Sequence, residues 1–258
     1  MKVVILAGGK GSRISEETEV APKPMIEIGR KPMLWHVMKL YSHYGFNEFI
    51  ICLGHLGYVI KEYFSHYFLH MSDVTIDLAQ NKIEIHTTAS EPWKITLVDT
   101  GFDTMTGGRL KRVEKYIGNE AFMMTYGDGV GNINIKSLLS FHKKNKKIAT
   151  LTTVQSAGRF GVLDIKGNNM VRSFLEKPKG EGSWISAGFF VLEPEALDYI
   201  KDSAFIAWER EPLENLAKDG QLAAYKHNAF WKPMDTLRDK IELEKMWQNA
   251  QAPWKVWK

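Results

Sequence analysis

A run of glycines and cations near the start of the chain is suited to holding phosphate. Gly8-Gly9-Lys10-Gly11-Ser12-Arg13 follows the short apolar stretch Val3-Val4-Ile5-Leu6-Ala7, and Lys23 of Pro22-Lys23-Pro24-Met25 comes ten residues after Arg13. Glycines reach backbone angles that other residues avoid, and their missing side chains let a ligand approach the peptide N–H groups. Arg13 and Lys23 bring positive charge to the same place. Two familiar phosphate patterns do not fit. The dinucleotide fingerprint G-x-G-x-x-G, begun at Gly9, needs a glycine where Ile14 stands, and the Walker pattern has no match. A bare turn after a strand would require neither Arg13 nor Lys23.

Other residues could bind a metal or a base. Tyr126-Gly127-Asp128-Gly129 sets a carboxylate between two glycines directly after an apolar stretch. Such a hard oxygen ligand suits Mg2+, and the plainer reading is an Asp-Gly turn. Gly107-Gly108 lies just before a helix expected over 110–116. There it could offer N–H groups to an anion or a base edge, or Thr106 could simply cap the helix. Asp235 stands where a final helix is expected to begin, as an N-cap would. His66 and His70 are four residues apart, but the Glu of H-E-x-x-H and a third ligand are missing, so packing is the expected role. The nucleophile motif G-x-S-x-G does not occur.

The elements that must position these residues alternate. Residues 2–7 read as a buried strand, 33–43 as a helix with Pro32 in its first turn, 48–53 as a strand and 58–68 as a helix. That alternation predicts a parallel sheet covered on both faces. Residues 73–78 and 82–87 read as a hairpin around Gln80-Asn81. Strands follow at 94–99 and 121–125, and a helix at 135–145. That helix ends in Lys143, Lys144, Lys146 and Lys147, a solvated end without the interleaved aromatic residues of a nucleic-acid surface. Further strands are expected at 149–154, 161–165, 170–174, 184–191 and 221–226, with helices at 193–200, 211–218 and up to 249.

The chain has 258 residues and a formal net charge of +4, a mild excess that suits an anionic small substrate and is weak evidence for nucleic acid. Its single cysteine, Cys52, lies in an apolar run, which predicts a buried thiol and rules out an intrachain disulfide framework. No apolar segment approaches the roughly eighteen residues of a membrane span, and no signal peptide is visible. A soluble, cytoplasmic protein is expected. Trp247, Trp254 and Trp257 near the C-terminus are expected to pack on this subunit or on a neighbour.

Taken together, L-A-G-G-x-G-[ST]-R and P-K-P-M resemble the signature of the sugar-1-phosphate nucleotidyltransferases. The chain resembles the glucose-1-phosphate cytidylyltransferases, which make CDP-glucose for deoxysugar synthesis, also through Ser15-Glu16-Glu17-Thr18, Leu34-Trp35-His36, Gly107-Gly108-Arg109, Tyr126-Gly127-Asp128-Gly129, Gly158-Arg159-Phe160-Gly161 and Glu176-Lys177-Pro178. The tryptophan-rich later motifs, Trp208-Glu209-Arg210-Glu211-Pro212-Leu213 and Trp231-Lys232-Pro233-Met234-Asp235-Thr236, are what favour the cytidylyl branch.

The resemblance implies a Rossmann-like three-layer α/β/α fold with a mixed, mostly parallel sheet and small β additions. It implies one domain over 1–258, with a C-terminal helix and an aromatic tail. The implied reaction is in-line attack by a sugar-1-phosphate oxygen on the α-phosphorus of CTP, releasing pyrophosphate, with no covalent enzyme intermediate. Leu6, Ala7, Gly8, Gly9, Lys10, Gly11, Ser12, Arg13, Lys23, Thr104 and Arg109 would contact the nucleotide. Arg13, Lys23 and Asp128 would carry catalysis, and Asp128 and Asp235 would share one Mg2+. Tyr126, Glu176, Lys177 and Ser186 would receive the sugar phosphate.

Where the family reads Trp-Ile-Asn-Gly-Gly-Phe-Phe, this chain has Ser186 and Ala187 in place of the Asn and the first Gly, which implies a lost or water-bridged sugar contact. A homo-oligomer, a hexamer by resemblance, is implied, and nucleic acid and membrane partners are not. The alternatives are another base or sugar phosphate within the same chemistry, or a sugar-nucleotide-binding sensor without turnover.

Overall fold

In a computed structural model, the described residues are 1–11, 21–155, 162–165, 167, 170–175 and 183–257. Ser12, Arg13, Glu176 and Lys177 lie outside them.

Seven strands form one sheet: β1 (Val3–Leu6), β2 (Glu48–Leu53), β3 (Lys94–Asp99), β4 (Phe122–Tyr126), β5 (Ala149–Val154), β6 (Ile185–Leu192) and β7 (Leu222–His227). Their order is β7-β5-β6-β4-β1-β2-β3. Strands β3, β2, β1 and β4 run parallel, and β6 runs against both β4 and β5. All four residues of β1 are buried, as its unbroken apolar sequence requires of a central strand. Alternate side chains go to opposite faces. Val3 and Ile5 join one apolar cluster, and Val4 and Leu6 join another.

Helices supply the other side of each cluster. Helix α1 (Met33–His43) packs on the Val3 face with Met33, Leu34, Val37, Met38 and Tyr41. Helix α2 (Gly57–His70) contributes Ile60 to the same cluster. Helix α3 (Thr106–Arg112) and the short α4 (Glu114–Ile117) cover the Val4 face with Leu110 and Ile117. The result is a three-layer α/β/α fold. Cys52 is fully buried between layers, and burial pushes its thiol up to about 12.

The strand order reverses between β1 and β4. Register places Leu6 level with both Cys52 and Tyr126, so these strands end together and their following loops diverge. Parallel sheets bind ligands in the crevice that such a divergence opens.

Helix α5 (Ile135–Asn145) and α6 (Glu211–Lys218) have the expected bounds. The expected hairpin is present as Ser72–Asp77 with Lys82–Thr88. Pro32 stands one residue before α1, as its N-cap in extended backbone, and not inside its first turn. A ribbon that the sequence reading missed pairs Gly129–Gly131 with Trp231–Pro233.

The final helix, α7 (Leu237–Gln248), is followed by a tail that folds back onto the chain. Trp254 is 1% exposed, and Trp247 and Trp254 pack around the buried His36 of α1. Among the described residues, no helix is long and apolar enough to cross a membrane.

Candidate active site

The glycine loop leaves β1 over a fixed support. Ala7 N–H donates to the Cys52 carbonyl at 3.0 Å, which holds the start of the loop to β2. Beneath Gly8 lies the guanidinium of Arg109. One nitrogen donates to the Gly8 carbonyl at 2.9 Å and to that of Phe102 at 3.2 Å. The other donates to Leu53 O, Thr100 Oγ1 and Gly101 O at 2.8–2.9 Å. A Cβ on Gly8 would fall 2.2 Å from this guanidinium, so only glycine permits the contact.

Arg109 was expected to touch the nucleotide. The structure instead commits its donors to backbone carbonyls and one hydroxyl of three loops. It borders the cavity and ties together the loops around it. Lys10 is turned outward, paired with Asp103 at 2.7 Å and set over the Phe102 ring.

The second glycine pair also differs from expectation. Helix α3 begins at Thr106, so Gly107 and Gly108 are inside it. Gly108 N–H is already bonded to the Ile206 carbonyl, and a Cβ on Gly107 would lie 2.9 Å from the same oxygen. These glycines let the segment 203–208 approach the helix, and they offer no N–H pair to a base. Thr106 is the first helical residue and not the cap. Thr104 is 7% exposed, accepts from Arg112 at 2.7 Å and borders the cavity.

Lys23 is the charged centre. It sits on a single 3-10 turn, Lys23–Met25, entered from Pro22 in extended backbone. Its ammonium donates to Asp128 Oδ2 at 2.7 Å and to Asp235 Oδ1 at 2.7 Å. Asp128 comes from the turn after β4. Asp235 arrives by the short ribbon, in which Pro233 lies opposite Gly129 and Met234 N–H donates to the Asp128 carbonyl at 2.8 Å. Two carboxylates 107 positions apart in the chain are thereby brought to one cation.

Lys23 is 7% exposed. Burial alone would lower its pKa, but the charges and hydrogen bonds of Asp128 and Asp235 outweigh that and raise it above the ordinary lysine value.

Asp235 does not cap α7. Thr236 does: its hydroxyl accepts from Asp239 N–H while the Asp239 carboxylate accepts from Thr236 N–H, a reciprocal capping box. The Asp235 carboxylate is turned to Lys23 instead.

Two cavities meet here. One of about 330 Å3 is bordered by Gly8, Gly9, Gly11, Lys23, Thr104 and Glu209, with Leu6 and Ala7 at its base. The other, of about 310 Å3, is bordered by Ser186, Trp231 and Asp235. Tyr126 and Asp128 border both. Ser186 Oγ accepts from Gly188 N–H at 3.3 Å, so this short side chain is partly turned back on its own strand.

Glu209 and Trp231 join the expected site residues at these cavities. No local spacing marks them as cavity residues, because each is brought in from a distant part of the chain. Among the described residues, no group of three or more His, Cys, Asp or Glu is placed to hold a metal. His66 and His70 are exposed on α2 with ring centroids 6.2 Å apart, so they do not pack in the core of this chain.

A family model described as nucleotidyl transferase matches residues 2–245. Proteins of Salmonella typhimurium and Salmonella typhi, both named glucose-1-phosphate cytidylyltransferase, are each 59% identical to the chain over 258 residues, with all of both sequences covered. A solved structure of UDP-glucose pyrophosphorylase with UDP-glucose superposes at a TM-score of 0.69 with 18% identity, covering 96% of this chain and 98% of that one, which is a likeness of fold.

Proposed function

We propose that this chain, which belongs to the nucleotidyl transferase family, transfers the cytidylyl group of CTP to glucose-1-phosphate, giving CDP-glucose and pyrophosphate. The full-length relatives named for that activity support the choice of base and sugar. The observation that carries the site assignment is the convergence of Asp128 and Asp235 on the Lys23 ammonium beside the glycine loop.

Displacement at phosphorus calls for positioning and charge neutralisation more than for a covalent nucleophile. The glycine loop, held from below by Arg109, presents backbone to the triphosphate, and Arg13 would grip two of its oxygens. Lys23 stays protonated throughout the physiological range. It exchanges its carboxylate partners for oxygens of the α-phosphate and offsets the charge that builds there. Tyr126, Glu176, Lys177 and Ser186 would receive the sugar phosphate on the far side.

The fit of Mg2+ rests on the same convergence. Two carboxylates already aim at one cation, and Mg2+ is commonly held by one or two carboxylates with the remaining positions left to water and substrate phosphates. Asp128 and Asp235 would hold it. When bound it would supply charge neutralisation between phosphate oxygens.

Ser186 in place of a longer amide leaves glucose-1-phosphate a substrate with one hydroxyl less tightly read. The test is pyrophosphate release from CTP, UTP, dTTP, GTP and ATP, each with glucose-1-phosphate and Mg2+. Fastest turnover with CTP supports the reading. Faster turnover with another nucleotide reassigns the base, and no release with any of them leaves a sugar-nucleotide sensor.

A further inference from the structure

Glu209 is a carboxylate at the glycine-loop cavity that takes no part in holding Lys23. Its two oxygens collect hydroxyl protons from two different elements. One accepts from the Tyr126 phenol at the end of β4. The other accepts from the Thr106 hydroxyl, the first residue of α3, at 2.6 Å. Thr106 Oγ1 in turn accepts from the Trp208 N–H at 2.9 Å, which ties the segment carrying Glu209 to the same helix.

An ionised carboxylate only accepts, and a phenol has one proton to give. With that proton directed at Glu209, the Tyr126 oxygen has only lone pairs left for anything else that meets it. The ring is blocked on the Gly188 side. Gly188, at φ 78°, lies against it so closely that a Cβ there would fall 2.3 Å from a ring carbon. Tyr126 borders both cavities beside Asp128, where the two substrates would meet under the proposed function.

We propose that Glu209 is a positioning residue that fixes the Tyr126 phenol as a hydrogen-bond acceptor for a hydroxyl of the bound sugar phosphate. The proposal rests on the cytidylyl-transfer reading. It makes a chemical distinction that a merely structural role would not: the pocket wants a donor. Fluorine can accept weakly and cannot donate, so exchanging the recognised hydroxyl for fluorine removes the bond. Without Glu209 the phenol can rotate and donate, and the two substituents become more alike.

The experiment measures kcat/KM with saturating CTP for glucose-1-phosphate and its 2-, 3-, 4- and 6-deoxyfluoro analogues. It uses the wild type, Glu209→Ala, Glu209→Gln, Tyr126→Phe and the double variant Glu209→Ala/Tyr126→Phe. In the wild type one analogue is expected to fall about three- to tenfold below the parent, the range of one neutral hydrogen bond. Glu209→Ala shrinks that ratio toward one and raises the KM for glucose-1-phosphate, while the KM for CTP stays within about twofold. In the Tyr126→Phe background, removing Glu209 adds nothing further.

Glu209→Gln keeps the size of the side chain but can offer an N–H to the phenol. It is expected to shrink the ratio as well, and it decides the matter if the alanine variant fails to fold. An unchanged ratio without Glu209, effects that add in the double variant, or a wild type indifferent to every fluorine would overturn the proposal while leaving cytidylyl transfer intact. A wild type that does not use glucose-1-phosphate would overturn both.

Discussion

Replacing Lys23 by methionine removes the ammonium and keeps most of the apolar stem, so loss of charge is separated from loss of packing. Removing one partner of a fully buried ion pair costs about 3–5 kcal/mol, because the other charge is left stranded. Here the Asp128 and Asp235 side chains are 34% and 24% exposed, so water can reach both once the ammonium is gone. The stability cost should therefore be smaller, about 1–2 kcal/mol, or a fall in Tm of roughly 2–8 °C for a chain of this length. The effect on turnover should be larger. A preorganised charge aimed at a reacting phosphate is comparable to one oxyanion-hole donor, about 100- to 1,000-fold in kcat. The assay is pyrophosphate release from CTP and glucose-1-phosphate, run beside thermal melts with and without Mg2+. The lost stability should be partly restored by Mg2+, since the two carboxylates then lack their resident cation. A Lys23→Met protein that folds and turns over within threefold of wild type would remove Lys23 from the reaction.

Asp235→Asn should leave stability within about 1 kcal/mol, because Thr236 and not Asp235 caps the helix, yet it should raise the Mg2+ concentration needed for activity; a magnesium titration with unchanged midpoint and rate would remove Asp235 from the metal site. Arg109→Lys should lower stability by about 2–4 kcal/mol and weaken CTP binding, since one ammonium cannot satisfy the carbonyls of Gly8, Leu53, Gly101 and Phe102 together; melting and nucleotide titration measure both, and a variant as stable as wild type would contradict the role given to this residue. His36 is buried, with its ring bonded to the Ile28 carbonyl, and burial pulls its pKa down to about 4. An unfolded histidine takes its proton near 6.5, so His36 weakens the fold as pH falls from about 6.5 to 4, by up to ~3 kcal/mol, and not above 6.5. Tm measured between pH 7.5 and 4.5 should drop less steeply in His36→Gln than in wild type, and parallel curves would show that His36 does not set this dependence.

The parts of the site that were legible in the sequence are those whose chemistry is local. Gly8, Gly9 and Gly11 directly follow a strand end and Lys23 comes soon after, so a short stretch already holds residues that border one cavity. Helices 33–43 and 135–145 and strands 48–53 and 149–154 were bounded correctly because their apolar patterns are long enough to repeat. The failures are non-local or turn on a single neighbour. Asp235 and Thr236 are both good caps, and the choice was decided by Asp239 three residues beyond Thr236. Gly107 and Gly108 argue against a helix by propensity, and the close approach of 203–208 overrides it. For Arg109 the resemblance implies a nucleotide contact, and nothing nearby in sequence reveals the five acceptors that its guanidinium meets. The ribbon that carries Asp235 to Asp128 has three residues a side, too few for a period to be seen.

Under the proposed reaction an intact sugar phosphate is joined to the α-phosphorus of CTP. Glucose-1-phosphate carrying 18O at all four phosphate oxygens tests this directly. With CTP and Mg2+, the chain should give CDP-glucose that keeps all four heavy oxygens and pyrophosphate that has none, read by mass spectrometry of both products. Heavy oxygen in the pyrophosphate, or CDP-glucose that has lost label, would mean that bonds of the sugar phosphate are broken and would contradict attack at the nucleotide.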